Sequence, residues 1–361
     1  MQIASHVAGA RRLANDYHFR NLVFEGGGVK GIAYVGALRE LKKRQILQNI
    51  ERIAGTSAGA INAVLLALGY GPRQTTDLLL DLDFKNFLDD SWGIVRDTDR
   101  LIKKFGWYKG DFFRDWIGNL IKAKTGNANS TFNDLQNLRM PDLYLIVTNL
   151  ATGFSEVMSA EHTPRLPVAD AVRMSMSLPL FFQAISNPRG DAYVDGGVLR
   201  NYPVKVFDRE KYIEPQKRAR HSLDTAYYRK DNRTKPRTSS KYVYNKETLG
   251  FRLDRQEEIA MFRDGAAAPT RPVNDFFDFG WALFKAARNA QNNAHLHSDD
   301  WQRTVYIDTL RVETTDFDVS LAQKRKLITS GAEGVKAYFD WYDDTRGTSL
   351  PNNHPQFSNK T

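Results

Sequence analysis

The chain has no cysteine. Disulfides, thiolate metal sites, a cysteine nucleophile and a cysteine-linked lipid are thereby excluded, while the compartment stays open. Long apolar runs are missing too: the most apolar stretch, Ala58 to Leu68, is interrupted by Asn62 and falls far short of the roughly 20 residues that span a bilayer. The N-terminal segment carries Arg11, Arg12, Asp16 and Arg20 and lacks the apolar core of about 7–15 residues that a secretory signal needs. The expected location is cytoplasmic or peripheral to a membrane, with export that needs no cleaved signal still compatible. No G-x-x-x-x-G-K-[ST] loop occurs, since Ile32 follows Gly31, so a P-loop is excluded. Histidine is sparse: His6, His18, His162, His221, His295, His297 and His354, none in a catalytic context. His221 alone would complete a Ser, Asp, His order, but it lies in a polar basic tract and reads as a solvated loop residue.

What is present suits a folded protein. Hydrophobic residues make up 42% and charged residues 26% of the 361, a globular balance. At roughly 150 residues per domain the length allows two domains, or one large α/β domain with insertions. Lys and Arg exceed Asp and Glu by 51 to 42, a net +9, which could serve nucleic acid, an anionic membrane or solubility alone. Its distribution is uneven. Between Lys211 and Lys241 ten basic residues face Glu214, Asp224 and Asp231, so +7 of the +9 sits in one polar tract, expected to be a flexible surface loop. No nucleic-acid fold signature accompanies it, and nucleic acid is not an expected partner.

Along the chain, Leu22 to Phe24 reads as a strand that ends in the loop Glu25-Gly26-Gly27-Gly28-Val29-Lys30-Gly31. A helix follows, with Ile32, Val35, Leu38 and Leu41 at helical spacing. Ile50 to Ala54 is a second strand leading into Gly55-Thr56-Ser57-Ala58-Gly59 and an apolar helix. This alternation predicts a parallel sheet covered by helices. Residues 72–140, rich in aromatics such as Phe84, Trp92, Phe105, Trp107, Phe112, Phe113 and Trp116, read as a helical insertion, although aromatics at this spacing are also found as ordinary core. Strands are expected at Leu143–Asn149, Phe154–Met158, Ala192–Val194, Thr248–Leu253 and Thr304–Asp308. Helices are expected at Val168–Ser175, 274–297 and 321–342, the last capped by Ser320, with a frayed tail from 346.

Gly55 to Gly59 fits G-x-S-x-G, the sharp strand-to-helix turn that lifts a serine hydroxyl out of the backbone. The helix beginning there aims free N–H groups at the point where negative charge would develop. Gly26, Gly28 and Gly31 fit G-x-G-x-x-G, which suits either a dinucleotide or an oxyanion. A dinucleotide site wants an acidic residue at the end of the second strand, where the Ser57 turn stands instead, so an oxyanion hole from Gly27 and Gly28 with the N–H of Ala58 fits better. Asp195 follows a strand and precedes Gly196 and Gly197, where it could take the serine proton over the same end of a parallel sheet or merely form an Asx turn.

Taken together, E25-GGGVKG-31, G55-TSAG-59 and D195-GGVLRNYPV-204 resemble the patatin-like phospholipase family, bacterial type, as do Arg173 to Phe182 with Ser175, Ser177 and Pro179, and Tyr108 to Trp116. The resemblance implies a three-layer α/β/α sandwich with a mainly parallel sheet. It also implies a Ser57/Asp195 dyad, an oxyanion hole at Gly26, Gly27, Gly28 and Ala58, and support from Lys30, Gly31, Gly55, Gly59, Gly196 and Gly197. The expected reaction is metal-independent, cofactor-free hydrolysis of acyl esters in phospholipids or lysophospholipids through an acyl-enzyme, with a protein activator compatible. The alternative is a silent lipid- or nucleotide-binding regulatory module on the same fold. The implied layout is an N-terminal extension (1–19), a catalytic domain (20–207) with a helical, lid-like insertion (72–140) whose Trp92, Trp107, Phe112, Phe113 and Trp116 would line an acyl-chain groove, a basic loop (208–247) that would draw the protein to anionic membrane, a C-terminal part packed on the catalytic domain (248–345) and a tail (346–361).

Overall fold

A computed structural model describes residues 17–87, 106–236, 239–256 and 299–344, with isolated positions between 258 and 286. The insertion aromatics Trp92 and Phe105, most of the 274–297 helix, the first 16 residues and the 346–361 tail lie outside the described residues. The chain opens with β1 (Asn21–Phe24), α1 (Ala33–Lys43), β2 (Arg52–Thr56), α2 (Ala58–Ala67) and α3 (Pro72–Asp81). Next come β3 (Gly106–Tyr108), α4 (Asp111–Thr125), α5 (Phe132–Asn137), the hairpin β4 (Asp142–Asn149) and β5 (Phe154–Ser159), and α6 (Val168–Ser175). Three short strands follow, β6 (Leu180–Phe182), β7 (Ile185–Ser186) and β8 (Ala192–Asp195). The chain then forms α7 (Arg218–His221), β9 (Ser222–Leu223), α8 (Ala226–Thr234), β10 (Tyr244–Asn245), β11 (Thr248–Asp254), β12 (Thr304–Asp308) and α9 (Leu321–Tyr342).

Among the described residues the main sheet has eight strands in the order β12-β11-β1-β2-β4-β8-β7, with β5 also on β4. The run from β12 to β4 is parallel, while β5, β8 and β7 pair antiparallel. Parallel strands are covered on both faces and so are apolar throughout: all residues of β1 and β11 are buried. One face carries Leu22, Phe24, Ile53 and Leu145 into the large core beneath α1, α2 and α9. On the other face Val23, Ala54 and Tyr144 pack against Tyr202, Val204 and Phe207. The layers are those of a three-layer α/β/α sandwich. Since β11 lies between β12 and β1, the strands Thr248–Asp254 and Thr304–Asp308 supply one edge of the central sheet itself.

Three expectations are revised. The 72–140 insertion is not purely helical, because β3 pairs in parallel with β6. Residue Asp195 ends a strand antiparallel to β4, not one of the parallel set. The 208–247 tract is folded, with α7, α8 and the β9/β10 pair inside it. Its anchor is a buried polar network that local sequence does not reveal: Arg303 holds Asp208 at 2.6 and 2.7 Å and Asp300 at 2.6 Å, and the buried Tyr228 donates its hydroxyl to Asp208. Many of the cations lie on partners, Lys217 on Glu214 at 2.8 Å and Lys235 over the Tyr242 ring at 3.8 Å. Among the described residues no helix is long and apolar enough to cross a membrane.

Candidate active site

Strand β4 brings the two motif residues together. Its edge along Tyr144–Asn149 is taken by β5, so β2, paired to residues 142–146, and β8, paired to 147–149, share the other edge. They meet end to end: Thr56 lies opposite Ile146, and Asp195, arriving from the opposite direction, lies opposite Val147. Ser57 leaves the sheet at that junction with φ 54 and ψ −124, a conformation that is strained for a side chain with a Cβ and marks functional turns. Both Ser57 and Asp195 are buried.

The sharp turn requires close packing. A Cβ on Gly31 would come within 2.8 Å of the Ala58 methyl, and one on Gly59 would meet the Phe24 carbonyl, so the two glycine motifs interlock. The glycine loop lies against the serine, since a Cβ on Gly26 would sit 3.1 Å from that of Ser57. Gly28 has φ +56 with the Thr314 carbonyl at its Cα. The N–H of Gly26 donates to the Asn201 carbonyl at 3.1 Å, which removes Gly26 from the expected oxyanion donors. Among the described residues the N–H groups of Gly27 and Gly28 have no recorded acceptor, and that of Ala58 opens α2. Buried Lys30 runs beneath the loop, its Cε 3.6 Å from where a Gly27 Cβ would stand.

Segment 175–177, part of the family likeness but absent from the expected site residues, touches both ends of the junction. Ser57 N–H donates to Ser175 Oγ at 2.9 Å, and Ser175 donates on to the Ile146 carbonyl at 2.7 Å. The Met176 sulfur is 3.5 Å from Ser57 Oγ. Asp195 N–H donates to the Ser177 carbonyl at 2.9 Å, while Asp195 Oδ1 accepts Gly197 N–H at 2.7 Å. The Asx turn is therefore real; it also fixes the carboxylate's orientation. Two further residues were missed. Asn201 Nδ2 donates to Glu25 Oε1 at 2.9 Å and to the Gly26 carbonyl at 3.1 Å, and Glu25 Oε2 accepts Leu253 N–H at 2.8 Å. The buried Glu25 thus ties the glycine loop to β11. Behind it, burial, opposed by Arg252 at 2.7 Å and reinforced by Glu25, raises Asp254 to a pKa of about 6.

His221 is neither at this site nor solvated. Its Nδ1 is 2.6 Å from Glu247, whose carbonyl takes the N–H groups of Arg20 and Asn21 at the start of β1. That is the opposite end of the sheet from Ser57, about 15 Å along the strands.

Ser57 thus stands with a positive φ on a strand-to-helix turn of a three-layer α/β/α fold. The family model described as patatin-like phospholipase matches residues 22–208, and the chain belongs to that family. It is 30% identical over 329 residues to uncharacterized protein YqhO of Bacillus subtilis (strain 168), covering 88% of this chain and 96% of that one. To uncharacterized protein R571 of Acanthamoeba polyphaga mimivirus it is 28% identical over 324 residues, 89% and 94% of the two chains. The fold also matches the crystal structure of VipD from Legionella pneumophila, with a TM-score of 0.54 and 18% identity over 90% of this chain and 67% of that one. Membership gives the activity class, lipid hydrolysis.

Proposed function

We propose that the chain hydrolyses carboxylic acyl esters of phospholipids or lysophospholipids through Ser57 and Asp195. The end-to-end meeting of β2 and β8 beside β4 carries this reading, because it brings the serine turn and the carboxylate to adjacent rungs of one strand. Ser57 Oγ attacks the ester carbonyl while Asp195 accepts its proton. The resulting oxyanion lies against the N–H groups of Gly27, Gly28 and Ala58, with Lys30 and the N-terminal end of α2 adding positive potential. Collapse expels the alcohol, which takes the proton back from Asp195 and leaves an acyl-serine. Water, deprotonated by the same carboxylate, then releases the fatty acid. The scheme routes every proton through Asp195 and uses no metal or cofactor.

Fatty-acid release from phospholipid vesicles tests it. Ser57→Ala and Asp195→Asn are each expected to lower turnover at least about thousandfold, the scale at which removal of a nucleophile or its base is felt. Full activity in either variant would overturn the dyad. A native protein that binds vesicles and releases nothing, with and without cell extract to supply an activator, would turn the reading to a regulatory lipid-binding module.

A further inference from the structure

The basic tract and the serine lie at different ends of the molecule. Tyr212, beside Lys211, has its carbonyl on Arg52 at the start of β2, and α7 ends with His221 beside Glu247, just ahead of β11. Ser57 follows the last residue of β2. A bilayer drawn to the 211–221 end of the tract would therefore face the sheet edge opposite the catalytic turn.

The serine's own edge offers a different surface. Because Thr56 pairs with Ile146, the turn that joins β4 to β5 begins three residues further along β4, about 10 Å beyond the level of Ser57. Its two apolar side chains point outward, Leu150 at 51% and Phe154 at 71% exposure. Leu199, in the loop between Gly197 and Asn201, is 41% exposed, and Leu310, just past the end of β12, is 42% exposed with φ 52. Leu150 and Leu310 follow the C-terminal ends of β4 and β12, Phe154 opens β5 opposite Asn149, and Leu199 lies in the loop after β8, all at the end of the strands that carries Ser57. Single exposed leucines are ordinary; here four large apolar side chains share the end of the strands from which Ser57 leaves. The turn from Asn149 to Phe154 contains no charged residue, which fits an apolar interior better than a charged protein surface. On the neighbouring β7–β8 turn, hydrogen-bonded through Ala192 to Leu150, Arg189 is 84% exposed with its Nε paired to Asp191 at 3.8 Å.

We infer that Leu150 and Phe154, with Leu199 and Leu310, form the surface by which this chain enters a lipid bilayer, setting Ser57 over its substrate, and that the basic tract is not the membrane face. The inference rests on the lipid-hydrolase reading for its occupant and deepens it by naming the docking edge. Apolar tips of this kind sink about 5–10 Å into the headgroup and acyl boundary.

The missing cysteines make the test direct. In a Ser57→Ala background, so that binding is read without turnover, Phe154→Cys and Lys230→Cys are each labelled with an environment-sensitive fluorophore. Vesicles are phosphatidylcholine alone, and phosphatidylcholine mixed with phosphatidylglycerol. On both, the probe at 154 is expected to shift to the blue and to become at least about threefold less accessible to an aqueous quencher, while the probe at 230 does neither. A companion Leu150→Ser/Phe154→Ser protein, whose altered side chains lie outside the core, should sediment with vesicles at least about tenfold less well. An unshifted probe at 154, or a buried one at 230, overturns the assignment. The hydrolase reading fails separately, by absence of fatty-acid release in the native chain.

Discussion

At the scale of single residues, the site was legible where its chemistry imposes a local pattern. A strained turn needs glycine neighbours, so Ser57 shows itself through Gly55 and Gly59, and Asp195 through Gly196 and Gly197. Residues that act across the fold leave no such mark: Ser175 meets Ser57 from 118 positions away, and Glu25 looks like a loop acid until Asn201 and Leu253 are seen on its two oxygens. The loss of Gly26 as a donor has the same origin, since its acceptor is Asn201. His18 provides a test of pH behaviour at this scale. Burial first, and then the charge of neighbouring His221, lower its pKa from 6.5 to about 4. The folded state therefore keeps it neutral where the unfolded chain protonates it, and stability present above pH 6.5 is lost as the pH falls toward 4. That loss is roughly 3 kcal/mol at most at 1.36 kcal/mol per unit. Urea denaturation between pH 7 and 4 should show a shallower decline for His18→Gln than for the native chain; parallel declines would contradict it.

Strand and helix positions were readable at the scale of elements because burial on both faces writes apolar runs and helices write a 3.6-residue repeat. The helix at Val168–Ser175 and the Ser320 cap, which accepts Gln323 N–H at 3.2 Å, match the sequence expectation. Direction and partnership were not readable. Nothing within Ala192–Asp195 states that β8 runs against β4, and nothing within 226–234 announces that Tyr228 will find Asp208 and turn a basic tract into a helix. Packing between α1 and α9 was equally silent, yet it rests on two glycines. A methyl on Gly36 would meet the Ile328 carbonyl and lie 2.8 Å from the Ala332 nitrogen, and one on Gly331 would meet the Ala33 carbonyl. Backbone cannot yield as a side chain can, so Gly36→Ala is expected to destabilise the fold by about 3 kcal/mol or more. Equilibrium urea unfolding measures this, and a loss under about 0.5 kcal/mol, the level of an ordinary surface change, would contradict the close crossing.

Across the whole molecule, charge and site separate along the strand axis: residues 211–221 of the basic tract meet the start of β2 and the residue before β11, while Ser57 follows the last residue of β2. The folded unit around Ser57 extends beyond the matched 22–208 segment. Leu253 packs on Gly27, Thr314 accepts the N–H of Val29 at 3.3 Å, and Arg255 pairs with Glu313 just ahead of it, so the C-terminal part holds the glycine loop from behind. The central claim is that this assembly activates one serine. Reaction with an alkyl fluorophosphonate, followed by peptide mass analysis and timed for native, Ser57→Ala and Asp195→Asn proteins, tests it most directly. The expected result is a single adduct on the peptide containing Ser57, none in Ser57→Ala, and labelling at least about a hundredfold slower in Asp195→Asn. An adduct that persists in Ser57→Ala, or native-rate labelling in Asp195→Asn, would contradict the account.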